Sequence, residues 1–390
     1  MPETAGPRRI LAGDLWAVFN FGDPKERYRR FLRHHRASFQ HLVDSVLLYD
    51  SVEVPTQDFL VIAVLLRELG ERAVVDLLSS GSLRFIRMCG SLGYSGRRGL
   101  SHFWIDVPPD EEKPNPYSPP DEALGIVLAH LRGRPKGHNF QRLVLEATTE
   151  VNAGEVLEEV RRETIADLRR SPELRKYCGL HEGQLDPLPG VPPNQVRIYG
   201  GVDSDEWSGD AADLVLALAA ANTELWLAEH SDCMDASTAS PIGQVLKSKV
   251  VASTDESDAL GGFATLCEIA GVPDLAEGVL AWQLPVSALL RLKRSRDGEQ
   301  FRTWFHENCR KDTKAVAREY ARLIRDIPTV EKLPARVLRF LAVAAFSTLA
   351  SGDPLIGAAA SAFDSFFVAR WLRGHSPKFF VDKLRKLGKN

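Results

Sequence analysis

The chain has 390 residues, of which 44% are hydrophobic and 26% charged, and its formal net charge is −3. This composition excludes a wholly disordered chain and gives no overall attraction to nucleic acid. Five cysteines, an odd number, argue against a disulfide framework, and the first seven residues contain no apolar leader. We therefore expect a reducing, cytoplasmic compartment, and the Ala/Arg/Leu-rich composition is typical of a bacterial protein.

The first predicted helix follows an N-cap and a first-turn proline, Asp23 and Pro24, and runs to about His41. Its segment 25–36 has six basic residues against one acid, a net charge of +5, with aromatic residues interleaved. Such a segment is usually a solvated helix face. If the fold brings a second basic cluster beside it, the segment becomes a candidate contact for nucleic acid or for an anionic membrane surface.

Residues Val46–Val54 are rich in β-formers and predict a strand that ends at Pro55. Three acids lie around the end of this strand, and a fourth ends a later one. Carboxylates at strand ends can hold Mg²⁺ for phosphodiester chemistry, although no lysine or histidine lies at a diagnostic spacing nearby. The candidate catalytic residues are Asp50, Glu53, Asp58 and Asp106.

Glycine recurs at every third position from Gly90 to Gly99. We expect the flanking segments, Leu83–Met88 and Leu100–Val107, to pair as a hairpin across this glycine loop. Exposed amides together with Arg97 and Arg98 are candidate ligands for a phosphate. The Lys-Ser/Thr ending of a Walker motif is missing, so a flexible connection without a ligand is the alternative.

Histidine and cysteine occur three residues apart at three places, a spacing that puts both side chains on one face of a helix. Two such pairs would complete a Cys₂His₂ zinc site. The pairs are far apart in the chain, unlike those of compact zinc modules, so ordinary core positions are the alternative. The candidate metal ligands are Cys178, His181, His230, Cys233, His306 and Cys309.

Two apolar, alanine-rich segments between Leu333 and Leu372 predict a C-terminal helical hairpin. The second segment is apolar on almost every side, which requires a core, a partner or lipid around it. Small residues recur there every four positions, and one carboxylate falls on the same side. Both segments are shorter than the roughly 20 residues that span a bilayer. The candidate interface residues are Gly357, Ser361, Asp364, Ser365 and Ala369.

The tail, residues 370–390, has seven basic residues against one acid, a net charge of +6, with apolar residues between them. A basic amphipathic end of this kind can dock on an anionic membrane surface or on nucleic acid. The more common role of such a sequence is a terminal helix with a solvated basic face.

Helical periodicity dominates the remaining sequence, and two proline-rich stretches interrupt it. The sequence predicts an α+β, predominantly α-helical fold, with a small antiparallel sheet or hairpin in the N-terminal half and a C-terminal helical hairpin. The predicted divisions are a mixed domain over 1–182, a proline-rich linker over 183–194, a helical domain over 195–330, and the hairpin with its basic tail over 331–390.

The chain carries no nucleophile elbow, no His-Glu-x-x-His helix and no dinucleotide fingerprint. We therefore expect an interaction or effector protein that acts through its C-terminal hairpin and tail, by self-association to a homo-oligomer, by binding a protein partner or by touching a membrane surface. The alternatives are a metal-dependent enzyme acting on nucleic acid or a nucleotide, and a passive nucleic-acid-binding module. No cofactor is predicted, and Zn²⁺ or Mg²⁺ are the metals that the candidate ligands would take.

Overall fold

The computed structural model describes residues 7–13, 15, 24–88, 91–97, 100–106, 119–131, 138–151, 153–170, 209–237, 259–309 and 377–388. The chain divides into two compact units, Met1–Thr254 and Asp255–Asn390. The predicted linker over 183–194 and the predicted C-terminal hairpin between Leu333 and Leu372 lie outside the described residues.

The first unit is built on a sheet of five short strands that are all parallel. The spatial order is β6–β3–β2–β1–β7, so the first strand of the chain lies between the second and the last. A separate antiparallel pair, β4 with β5, lies between β3 and β6 in the chain. The strands are β1 (Arg9–Ala12), β2 (Ser51–Thr56), β3 (Leu83–Met88), β4 (Ser91–Arg97), β5 (Leu100–Asp106), β6 (Thr148–Val151) and β7 (Asp235–Ser237).

The predicted α+β fold with a small antiparallel sheet is therefore wrong. The segment Leu83–Met88 belongs to the parallel sheet, where it pairs with β2 and β6. Leu100–Asp106 does form an antiparallel pair, but with Ser91–Arg97, which the sequence had predicted as a glycine loop. Glycine disfavours a strand only weakly, and partners along the strand override that preference.

Helices connect the strands of the first unit. Parallel strands need such crossovers, because the chain must return to the end of the sheet where the strands begin before the next strand can start. The predicted first helix is present and extends to Leu48, so that residues 46–48 are helical and not part of a strand. These helices are α1 (Pro24–Leu48), α2 (Leu60–Leu69), α3 (Glu71–Ser79), α4 (Pro120–His130), α5 (His138–Glu146), α6 (Ala153–Arg170) and α7 (Gly209–His230).

The core of the first unit is made by apolar strand residues and by the helices packed on them. Val52, Val54 and Phe85 in the central strands are completely buried. Helix α7 packs along α6 and against β1 and β7. This packing brings α7 to the part of the sheet where its strand order reverses.

The described part of the second unit is helical, and aromatic rings fill its core. Phe301 stacks on Phe380 with ring centroids 4.4 Å apart, and Phe263 meets Phe305 edge to face. Within the described residues of the whole chain, no helix is both long enough and apolar enough to cross a membrane. The helices of this unit are α8 (Ala259–Ala270), α9 (Leu275–Leu280), α10 (Val286–Arg294), α11 (Arg296–Cys309) and α12 (Pro377–Leu387).

Candidate functional site

The strand order of the parallel sheet reverses next to β1. From β1 the chain adds β2, β3 and β6 successively on one side, and then β7 on the other side of β1. In open parallel sheets, the crossovers on the two sides of such a point diverge and leave a crevice at the carboxyl ends of the strands. We call this end of the sheet the carboxyl edge; its strands end at Ala12, Thr56, Met88, Val151 and Ser237.

At the end of β1, a carboxylate occupies the space that a side chain on Gly13 would need. A Cβ placed on Gly13 would lie 2.4 Å from Oε1 of Glu224, which is too close for any real contact. Glu224 lies on α7 and is completely buried. The amide of Gly13 donates a hydrogen bond of 2.7 Å to the carbonyl oxygen of Ser237. The ends of β1 and β7 are thus joined, with a buried carboxylate beside them.

Ser237 adds a second buried polar group at this point. It is 5% exposed, and its Oγ has no hydrogen-bond partner among the residues that the structure describes. Leaving a buried hydroxyl unsatisfied costs about 1–3 kcal/mol, so most proteins avoid it. A bound ligand is one group that supplies such a missing hydrogen bond.

The carboxyl ends of β2, β3 and β6 carry a buried arginine. Arg87 is 1% exposed, and it pairs with Glu150 at the end of β6. Its Nε donates to the carbonyl oxygen of Gln57 over 3.1 Å, and its guanidinium lies 5.5 Å from the ring centroid of Phe59. Thr56, Arg87 and Glu150 stand in one row across the three strands.

The turn after β2 fixes part of this arrangement. Phe59 has φ 60°, the left-handed conformation, which costs a bulky residue about 1–2 kcal/mol. Its amide donates to Thr56 Oγ1, and the amide of Leu60 donates to Asp58 Oδ1. The strained turn thus holds the ring of Phe59 and the carbonyl of Gln57 against Arg87 and starts α2.

Helix α1 carries the basic segment 25–36 to the carboxyl edge. The helix begins after β1 and ends beside the start of β2, where Asp50 N donates to Arg8 O, so it runs opposite to the strands. Its 25 residues span about 37 Å, whereas the six residues of β2 span about 20 Å. The first half of α1 therefore extends past the carboxyl edge.

The predicted catalytic acids do not converge. Asp50 lies before β2, at the opposite end of the sheet, and its carboxylate accepts hydrogen bonds from the amide and guanidinium of Arg8. Asp58 lies after β2, where its Oδ1 accepts a hydrogen bond from the amide of Leu60. Glu53 lies inside β2, and Asp106 ends β5, outside the parallel sheet. A strand of six residues separates Asp50 from Asp58, about 20 Å.

Glu53 is a buried carboxylate with partners of its own. It pairs with Arg84 over 3.6 Å and accepts a hydrogen bond of 3.1 Å from Ser51 Oγ. Burial raises the pKa of Glu53 above its ordinary value of 4.5, and the charge of Arg84 opposes this shift. These contacts hold the starts of β2 and β3 together.

The described histidines and cysteines of the predicted pairs lie in different local environments. His230 is exposed and stacks on Trp226 with ring centroids 4.6 Å apart. Burial raises the pKa of the Cys233 thiol to about 12, which disfavours the thiolate that zinc requires. His306 is buried against the edge of Phe305. Cys178 and His181 lie outside the described residues, as does the side chain of Cys309.

Across the described ranges, no three His, Cys, Asp or Glu side chains are grouped so as to hold a metal ion. The predicted phosphate ligand Arg97 is the last residue of β4, and Arg98 lies outside the described residues. The predicted interface residues between Gly357 and Ala369 also lie outside them.

No family model, no curated protein and no solved structure matches this chain. The candidate site is therefore defined by geometry, through Gly13, Glu224, Ser237 and Arg87. Sequence reasoning missed all four residues. One signal was present, because the apolar run Ile10–Ala12 ends at a glycine, as a buried parallel strand followed by a close approach often does.

Proposed function

We propose that the first unit binds a small, hydroxylated and phosphate-bearing molecule of the nucleotide class at its carboxyl edge. The observation that carries this proposal is the reversal of strand order beside β1, where Glu224 fills the space above Gly13. We choose this edge because ligands of open parallel sheets generally bind outside the carboxyl ends of the strands, at the point where the strand order reverses. The chemistry of the ligand is argued from the groups that line the edge.

Two features support a ligand with both hydroxyl and phosphate groups. The hydroxyl of Ser237, which lacks a hydrogen-bond partner within the described part of the chain, can donate a hydrogen bond to a sugar-like hydroxyl, and a carboxylate can accept one from it. The first half of α1, which extends past the same edge, carries a net charge of +5 in residues 25–36. That charge attracts phosphate and makes the affinity fall as salt rises.

The test is a titration of the full-length protein with ADP, adenosine and inorganic phosphate, at low and at physiological salt. We expect ADP to bind more tightly than either fragment. Glu224→Gln should weaken ADP binding about tenfold, because hydrogen bonds to a charged group contribute about 1.5–3 kcal/mol. Glu229→Gln, a change of the same charge at an exposed position of the same helix, should leave the affinity unchanged. Absence of ADP binding by the wild-type protein would overturn the proposal.

The interaction or effector role of the C-terminal hairpin stays a separate proposal, which rests on sequence alone. Replacing residues 333–372 with a flexible linker tests it without removing α12, whose apolar face belongs to the core of the second unit. Under this proposal the replacement abolishes self-association or membrane binding. We further propose a reducing, cytoplasmic compartment, with membrane contact restricted to the surface, on the basis of the five scattered cysteines.

A further inference from the structure

The tail helix α12 has one side in the core of the second unit and one side in solvent. Its buried apolar side chains are Phe380, Val381 and Leu384. Three of its cationic side chains are exposed, namely Lys383, Arg385 and Lys386. Docking of the helix therefore uses the apolar side that a membrane-inserting helix would need, and it leaves these cations in water.

An ion pair joins the cations of α12 to a second basic cluster. Lys383 pairs with Asp297 in the first turn of α11. Arg296 and Arg294 precede Asp297 by one and three residues, so their Cα atoms lie within about 11 Å of its Cα. Arg291 lies one turn before Arg294 on α10, about 5–6 Å away between Cβ atoms. The fold thus brings together basic residues that are 86 positions apart in the sequence.

Close packing of α10, α11 and α12 fixes this arrangement. A Cβ placed on Gly298 in α11 would lie 2.4 Å from the carbonyl oxygen of Leu292 in α10. A Cβ on Gly388, directly after α12, would lie 2.1 Å from Cγ of Pro273. A side chain at either glycine would require its neighbour to shift. The cations are therefore carried by elements that are already packed together, without a ligand to order them.

Most of the exposed cations of these three helices have no acidic partner. We call them the basic surface, which comprises Arg291, Arg294, Arg296, Lys383, Arg385 and Lys386. Lys383 pairs with Asp297, and Arg385 pairs with Asp382. Within the described residues, the side chains of the other four form no ion pair or hydrogen bond. Residues 291–299 and 382–386 together have seven basic residues against three acids, a net charge of +4.

We infer that the basic surface binds nucleic acid through its phosphate backbone. Duplex DNA carries one negative charge per about 1.7 Å of its axis, which suits a row of exposed cations. Four of the six cations are arginines, whose planar guanidinium groups bind phosphate oxygens in pairs. An anionic membrane is the less suitable partner, because the apolar side of α12 is buried in the core. This inference concerns the second unit and does not depend on the nucleotide site proposed for the first.

The test measures binding of the full-length protein to a short, fluorescently labelled DNA duplex of mixed sequence, over a range of salt concentrations. The logarithm of the affinity falls linearly with the logarithm of the salt concentration, with a slope of about −0.9 for each phosphate neutralised. Arg294→Gln and Lys386→Gln should each make this slope shallower by about 1, and the double variant by about 2. Both residues are exposed, so the melting temperature should not change.

Arg72→Gln is the matched control, because it removes the same charge from an exposed position of α3 in the first unit. Its slope should equal that of the wild type. Equal slopes in the wild type and in the double variant would overturn the inference, as would an equal change in Arg72→Gln. Either result would place any contact with DNA elsewhere on the chain.

Vesicles containing phosphatidylserine test the membrane alternative. We expect the protein to remain in the supernatant when such vesicles are sedimented at physiological salt. Vesicle binding that is lost in the double variant, together with no binding of DNA, would assign the basic surface to membranes and overturn the inference. The ADP titration reports on the first unit alone, so its outcome leaves this test unaffected.

Discussion

The carboxylate of Glu224 lies in the space that a side chain at residue 13 would need, 2.4 Å from the position of a Cβ on Gly13. Glu224 is completely buried. The first turn after β1 is therefore packed directly against α7, and this packing sets the geometry of the proposed site.

Gly13→Ala should destabilise the protein and weaken ligand binding. The added methyl group must displace Glu224 or the end of β1, and overpacking of this kind costs about 1–3 kcal/mol. Chemical denaturation followed by circular dichroism measures the free energy of unfolding. The matched control is Gly125→Ala in α4, where a Cβ would meet no atom within 4 Å. We expect that variant to be unchanged or stabilised by about 0.5–1 kcal/mol, and an equal loss in both variants would contradict the packing argument.

The stability contributed by Glu53 should fall as pH rises. Burial raises the pKa of Glu53 in the folded chain above its ordinary value of 4.5. Between these two values the folded chain holds a proton that the unfolded chain has released, so the free energy of unfolding decreases with pH. Glu53→Gln cannot ionise, and its stability relative to the wild type should therefore increase from about pH 4 upward.

Denaturation curves of the wild type and of Glu53→Gln between pH 4 and pH 8 measure this difference. Glu71→Gln, at an exposed position of α3, serves as the control for a changed net charge. The free energy of unfolding of Glu53→Gln, relative to that of the wild type, could instead decrease as pH rises. In that case the charge of Arg84 would outweigh the effect of burial, and the stated direction of the pKa shift would be wrong.

Cys233 should react slowly with alkylating agents in the folded protein. Only the thiolate reacts, and a pKa of about 12 leaves a thiolate fraction of about one in ten thousand at pH 8. Iodoacetamide labelling, followed by peptide mass spectrometry, should show modification of Cys233 about a thousandfold slower than that of a free cysteine. Labelling in denaturant is the control and should be fast. Rapid labelling of the folded chain would restore Cys233 as a candidate metal ligand.

The tail helix α12 should contribute to the stability of the second unit. Phe380 is completely buried and stacks on Phe301, and Lys383 pairs with Asp297 on α11. Phe380→Ala should lower the free energy of unfolding by about 3–5 kcal/mol. Lys386→Gln, at an exposed position of the same helix, should change it by less than about 0.5 kcal/mol. An unchanged stability of Phe380→Ala would favour a tail that is available for membranes or nucleic acid.

The sequence predicted the helices better than the sheet, for a physical reason. The spacing of apolar residues in α1 and α6 repeats within one continuous segment, so each helix can be recognised from its own sequence. Strand β7 has three residues, Asp235–Ser237, and pairs with β1 more than 220 positions earlier. No local pattern predicts so short a strand, because distant parts of the chain pair with it and bury its side chains.

The candidate site was missed for the same reason. Glu224 is an ordinary helix residue in the sequence, and it acquires a role only because α7 packs on the end of β1. The opposite error occurred with Asp50, whose place beside a predicted strand suggested catalysis. In the fold it lies at the amino end of β2 and pairs with Arg8. Which end of a parallel sheet an acid occupies depends on strand boundaries, and those are the least certain part of sequence interpretation.

Hydrogen–deuterium exchange of the full-length protein, with and without ADP, tests the central claim most directly because it locates the ligand. We expect ADP to slow amide exchange at the ends of β1 and β7, near Gly13 and Ser237, and in the turn around Phe59. Exchange near Asp50 should not change, because that residue lies at the opposite end of the sheet. Protection confined to residues remote from the carboxyl edge, or no protection at saturating ADP, would contradict the account.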